Sequence, residues 1–341
     1  MKSDADKRSV FIGQMKQTST FKALLGEMQA GLSLYWENAG QILAACGVSM
    51  TPPTASTNSF DKNFFSMLFL YSYMRGEIAQ PRRILYASTL QCLRGMVTGC
   101  DNLLDDEYKP TLETDIPPGG HRFRSVIDIM VSDRVLFQIL LNAAMRKEIP
   151  EDRVLPASTA SMKTMTRSGI EEAGEEAGIS SILHPEEIIK TIHHFKTGLL
   201  FQCPWDIPLS IEAVAVEKVR PLMDSLYKIG IGCQIMDDMV DMAIDIENRN
   251  HNYMVSLIHH GTSTVEKELL SQALPPDRGA PARRILVNQF PLAMGHALKT
   301  SHQLLTHGFS TLFAAEDQNL IQPAIHFLEA RIGTASLVCR G

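Results

Sequence analysis

Two short acidic runs hold the residues of this chain best suited to chemistry. Asp101-Asn102-Leu103-Leu104-Asp105-Asp106-Glu107 closes an apolar segment, and Asp237-Asp238-Met239-Val240-Asp241 interrupts another. Each places aspartates four residues apart, at 101 and 105 and at 237 and 241. On a helix that spacing stacks two carboxylates on one face, a turn apart. Like charges so placed repel. Two such pairs facing each other make a site for a hard cation, and Mg²⁺ favours carboxylate oxygen together with water and substrate phosphate. The first run could be read as a solvated helix end. The second follows the apolar stretch from Ile229 to Met236, and three aspartates left unpaired in such a helix would cost several kcal/mol. A shared metal site resolves that cost.

Between the runs stands Lys196, in Phe195-Lys196-Thr197-Gly198-Leu199-Leu200-Phe201. Such a lysine either lays its stem along the surface with its ammonium in water, or points into a cavity as a fixed charge for phosphate. Thr197 and Gly198 would let the helix loosen and bring the backbone near a ligand. His193 and His194 point about 100° apart on a helix and read as surface or packing residues.

The elements that must position these groups are helical. Apolar residues recur at three and four over 21–46, and the pattern predicts further helices at 62–75, 82–107, 123–146, 158–178, 185–202, 213–247, 249–260, 264–273, 281–306 and 317–332. Pro185 with Glu186 and Glu187 suits a helix start. Residues 108–121, with three prolines and two glycines, form a loop beside the first acidic run, either a lid or a connector. Residues 274–282 read as a solvent loop. Period-two strands, repeats and a dividing linker are all missing from the pattern, so the expectation is one all-α domain over 21–341 behind a flexible 1–20 segment.

The 341 residues, 45% hydrophobic, suffice for a large core, and a net charge of −6 gives no general attraction to nucleic acid or anionic membrane. The six cysteines form no CxxC pair and read as reduced, buried small hydrophobes. The polar N-terminus lacks a signal-peptide core, and no apolar run approaches the ~20 residues that span a bilayer. A soluble, cytoplasmic protein is expected. Methionines flank the acidic runs at 96, 236, 239 and 242 and suit either an adaptable apolar cavity or ordinary core filling.

With these residues in view the chain resembles the class I isoprenoid synthases, the superfamily of trans-prenyl diphosphate synthases and class I terpene synthases. Asp101 to Asp105 is similar to their first aspartate-rich motif, Lys196 to Phe201 to the KT motif, and Gln234 to Asp241 to the QxxDDxxD motif. The resemblance implies an antiparallel helix bundle of the isoprenoid synthase type around a central apolar cavity. It implies that Asp101, Asp105, Asp237 and Asp241 are catalytic ligands of Mg²⁺, three ions bound with the substrate diphosphate, with Asp106 and Asp238 behind them. Lys196, Gln234 and Arg249 would contact the diphosphate of an allylic prenyl substrate. A homodimer is implied as well.

The departures bear on the reaction. Asn102 replaces an aspartate, at a position facing away from the 101/105 pair. The arginine pair that resembling synthases carry after the first motif is replaced by Tyr108-Lys109-Pro110-Thr111, and no basic residue stands at 40–48, where an upstream basic motif falls. Arg82 and Arg83, or Arg122 and Arg124, are the substitutes for holding a second diphosphate. The leading expectation is therefore a terpene synthase that ionises one allylic diphosphate and cyclises or eliminates. The alternative is a prenyltransferase, a head-to-tail polyprenyl diphosphate synthase using isopentenyl diphosphate. A catalytically silent partner subunit is a lesser reading.

Overall fold

Apolar residues at helical spacing form helices almost everywhere the pattern places them. The computed structural model describes residues 11–15, 18–106, 108–274 and 286–338. The expected spans at 21–46, 62–75, 82–107 and 123–146 are the helices Ser19–Ala45, Phe64–Arg75, Gln80–Leu104 and His121–Met145. The later ones are Met162–Ala173, Pro185–Glu187 continuing through Gln202, Val216–Val240, Met242–Asn248, Tyr253–His260, Thr264–Ala273, Pro291–Leu312 and Ile321–Ile332. The only pairing of extended residues among the described ones is an isolated bridge between Met50 and Thr114. The fold is all-α. Residues 1–10 of the expected flexible segment, and most of the expected 274–282 loop, lie outside the described residues, whereas residues 11–15 are helical and Phe11 packs on Phe327, ring centroids 5.1 Å apart.

Contacts gather into two compact units. One comprises Met15–Thr166 and Cys203–Leu222, the other Met1–Gln14, Arg167–Gln202 and Met223–Gly341.

In the unit that carries the first acidic motif, the helices Ser19–Ala45, Gln80–Leu104 and His121–Met145 pack on one another. Thr18 caps the first of them, accepting from the Phe21 amide at 3.3 Å. The buried hydroxyls of Tyr35 and Ser132 meet at 2.9 Å. Gly99, one turn before the motif ends its helix, lies so close to the next helix that a Cβ there would sit 2.6 Å from Ile129 and 3.0 Å from the Ser125 carbonyl. The loop after the motif is tied down. The Thr51 amide donates to the Glu113 carbonyl at 2.8 Å and the Asp115 amide to the Ser49 carbonyl at 3.1 Å. At least at 113–115 the loop behaves as a connector.

In the other unit Ile192, Ile231, Ile235, Met239, Met242, Ile246, Met254 and Phe290 are among the residues of one apolar core. The expected single helix over 213–247 is interrupted at Asp241, whose φ of −93° and ψ of 3° depart from helical values. The register survives. The Asp241 amide still donates to the Asp237 carbonyl and the Asp245 amide to the Asp241 carbonyl, both at 2.9 Å. Residues 237, 241 and 245 therefore share a face.

Three of the described cysteines (92, 203 and 233) are buried, and all five are free, as the sequence suggests. Cys46 and Cys100 are exposed instead, and Cys339 lies outside the described residues.

Candidate functional site

The first motif sits where its helix stops. Asp105 is the residue that closes Gln80–Leu104, its amide donating to the Asp101 carbonyl at 2.8 Å. Asp106 then takes a left-handed backbone, φ 53°. Asp101 is half-buried, Asp105 and Asp106 are exposed, and Glu107 lies outside the described residues. Asp106 pairs with Arg122 at 3.0 Å. Asn102 points inward and is 2% exposed. Its amide nitrogen donates to the Lys109 carbonyl at 3.1 Å and its oxygen accepts from the Lys109 amide at 2.9 Å. An aspartate could make only the second of these bonds in its ionised form. The substitution in the motif thus fastens the chain leaving it.

The second motif lies inside a buried polar network. Asp238, 4% exposed, accepts from His193 Nε2 at 3.0 Å, from Gln234 Nε2 at 3.1 Å and from the Tyr253 amide at 2.6 Å. Gln234 in turn accepts a hydrogen bond from the Thr197 hydroxyl. One chain of hydrogen bonds therefore joins the KT segment to the acidic segment through Gln234. Asn252 closes the network: its amide donates to the Asp238 carbonyl at 2.7 Å and to Asp245 at 2.8 Å, while its oxygen caps the Tyr253–His260 helix. Asp237 and Asp241, which flank it along the helix, are exposed. Burial and the charge of Asp238 push the half-buried Asp245 carboxyl up to about 8, against the pull of Asn252 and Lys196.

Lys196 is at the end of an unusual stretch. Residues Ile188–Gly198 are π-helical, which is the loosening that Thr197 and Gly198 suggest in the sequence. Gly198 is required there, because a Cβ would lie 2.9 Å from two atoms of the Tyr227 ring. The ammonium of Lys196 is ion-paired with Glu175 Oε2 at 3.2 Å. Burial alone would depress the lysine, but Glu175, Glu172 and Asp245 together raise it above its ordinary value. Arg249 is half-buried with a left-handed backbone, φ 55°, and its carbonyl accepts from the Ile179 amide at 2.8 Å.

Sequence reasoning missed His193, Glu175, Asn252 and Asp245. His193 reads as a packing residue, yet it is 2% exposed and bound to the acidic motif. No local signal marks it, since its partner lies 45 residues further along the chain.

Among the described residues no three His, Cys, Asp or Glu side chains come together as a metal-binding group. The donor chemistry nonetheless suits Mg²⁺, which takes one or two carboxylates and completes its shell with water and phosphate. Each pair offers two such carboxylates on one face. The four arginines that could hold a second diphosphate already face carboxylates. Arg83 meets Glu27 at 2.5 Å, Arg122 meets Asp106 at 3.0 Å, Arg82 lies 3.6 Å from Glu212 and Arg124 lies 3.8 Å from Glu113.

No protein-family model matches the chain, and no curated protein matches it in sequence. Solved structures do match its fold. The geranylgeranyl pyrophosphate synthase of Corynebacterium glutamicum is 15% identical with a TM-score of 0.61, covering 94% of this chain and 98% of its own. The geranylgeranyl pyrophosphate synthetase of Pyrococcus horikoshii is 16% identical with a TM-score of 0.59, over 94% and 98%. A polyprenyl synthase of Caulobacter crescentus, solved with calcium and isoprenyl diphosphate, is 13% identical with a TM-score of 0.58, over 91% and 97%. At this identity the likeness shows the fold alone, and it is the all-α fold that these synthase structures share. Among the described residues no helix is long and apolar enough to cross a membrane.

Proposed function

We propose that this chain is a Mg²⁺-dependent prenyltransferase that ionises an allylic prenyl diphosphate and passes the prenyl group to an acceptor, as in a head-to-tail polyprenyl diphosphate synthase. The observation that carries the reading is the Thr197–Gln234–Asp238 chain of hydrogen bonds, which couples the lysine segment to the second acidic segment. In this reading Asp101, Asp105, Asp237 and Asp241 are the metal ligands. Bound Mg²⁺ would neutralise the diphosphate and make it a better leaving group. Lys196, Gln234 and Arg249 contact the same anion. Asp238, engaged by three donors, positions its neighbours from behind, and exposed Asp106 stands outside the ligand set.

The likeness to prenyl synthases supports transfer better than the terpene synthase reading that the sequence favours. One observation still speaks for the cyclase: each arginine available for a second diphosphate already has a carboxylate neighbour. Incubation with Mg²⁺ and geranyl, farnesyl or geranylgeranyl diphosphate, with and without isopentenyl diphosphate, decides the matter. Longer diphosphates that require isopentenyl diphosphate are expected. Hydrocarbon or alcohol from the allylic substrate alone makes the protein a cyclase. Absence of turnover with tight binding to another synthase makes it a silent subunit.

We also propose a homodimer built on His121–Met145. Phe123, Val126, Met130, Phe137, Leu141 and Met145 are exposed along that helix, Met130 at 61% and Met145 at 73%. The pattern mirrors itself about Asp133 and Arg134, both exposed, so an antiparallel second copy would set apolar against apolar and Asp133 against Arg134. Light scattering should give twice the chain mass, and Phe137→Glu should give the monomer.

A further inference from the structure

The ammonium assigned above to the substrate diphosphate already has a partner within the chain. Lys196 Nζ lies 3.2 Å from Glu175 Oε2, with side chains only 19% and 7% exposed. The same oxygen accepts from the His251 amide at 3.2 Å. Glu175 follows the end of Met162–Ala173, in a turn bounded by Gly174 and by Gly178, whose φ of 77° is left-handed. Glycines at both ends give such a turn backbone freedom. Beside it is a hollow of about 290 Å³ lined by Glu171, Glu175, Ser180, Ser181 and His251 among others. A displaced carboxylate would find polar surroundings there.

We propose that Glu175 is an internal counter-ion that an incoming anion must displace from Lys196, and that it thereby sets a threshold which a diphosphate clears and a singly phosphorylated ligand does not. The proposal rests on the diphosphate role given to Lys196 above. A buried ion pair is costly to break when its acid is left without compensation. A diphosphate carried with divalent cations offers several charges and hydrogen bonds in exchange. A monophosphate offers fewer and loses the competition. The built-in competitor lowers both affinities, and only the anion with more charge and hydrogen bonds to offer stays bound. Glu172 and Asp245, which also act on Lys196, add to the barrier facing any weakly charged anion.

Glu175→Gln keeps an acceptor for the His251 amide and removes the charge. Titration calorimetry with Mg²⁺ and inorganic diphosphate should show binding about tenfold tighter in this variant, or about 1.4 kcal/mol. Inorganic phosphate should gain by a similar factor, so that its weak binding becomes easier to measure. In a Lys196→Met background the same substitution should change neither affinity. Equal or weaker diphosphate binding by Glu175→Gln overturns the proposal, and so does phosphate binding that fails to strengthen. If neither the unmodified chain nor the variant binds diphosphate, the role of Lys196 falls and the inference falls with it. If both bind equally, the lysine keeps its role and Glu175 loses its own. Carbodiimide labelling of the unmodified chain gives a second reading that needs no variant. Glu175 should be protected alone and labelled once diphosphate is added, and labelling that diphosphate leaves unchanged counts against displacement.

Discussion

The first acidic motif ends its helix, and the second lies within a helical run. Asp105 and Asp106 are exposed at a chain reversal, held by one inward side chain, Asn102. Asp237 and Asp241 are exposed too, but Asp238 between them is clamped by His193, Gln234 and Tyr253 and backed by Asn252. The two regions solve one problem differently. Carboxylates that serve as the cation ligands proposed above must stay hydrated until the ion arrives, yet their backbone must not wander. At the second motif a buried acid with three donors fixes the backbone. At the first, a neutral amide does so, which avoids adding another negative charge beside the pair.

The comparison can be broken most sharply at the two acidic pairs. Asp101→Ala and Asp237→Ala should each lower turnover by about 10³-fold or more, as the loss of a transition-state charge stabiliser does, while circular dichroism and melting stay near those of the parent. Activity retained in both would remove the ligand roles. The anchors should behave in the opposite way. Asp238→Ala leaves buried donors without their acceptor and should cost about 3–5 kcal/mol in urea unfolding. Asn102→Asp should cost about 1–3 kcal/mol, because an ionised carboxylate faces the Lys109 carbonyl without a proton to donate, and amide exchange at 108–112 should quicken.

A smaller effect follows from Asp245. Its carboxyl titrates at about 8 in the folded chain, against about 4 when unfolded. Between those values the folded chain binds the extra proton, so this group makes stability fall as pH rises. Asp245→Asn should flatten the fall in melting temperature between pH 5 and 8. A profile as steep in the variant as in the parent would rule out Asp245 as its source.

Most helices were legible because their periodicity is local: a stripe such as Phe21, Leu24, Met28 and Leu32 must face a core whatever lies opposite, and all four are buried. The acidic pairs and the KT segment were legible because spacing along one helix is also local. The interior of the site was not. Nothing in the neighbourhood of His193 or Glu175 announces its partner, which lies 45 or 21 residues away. The inward turn of Asp238 depends on Asn252 and Tyr253 arriving from the start of the Tyr253–His260 helix. The break at Asp241 also escaped, since the apolar pattern runs on through it. Asn102 looked like a tolerated deviation, and its clamp becomes visible only when Lys109 folds back.

The eleven π-helical residues before Leu199 have a consequence for relatives of this chain. A π turn closes one residue later than an α turn, so the stretch carries surplus length wound into each ring. Deleting a single residue from 188–195 would let the coil tighten, and everything beyond would swing by about 100°. Lys196 would leave Glu175, and Thr197 would leave Gln234. Homologues that keep these contacts should therefore conserve the length of this segment more strictly than its composition.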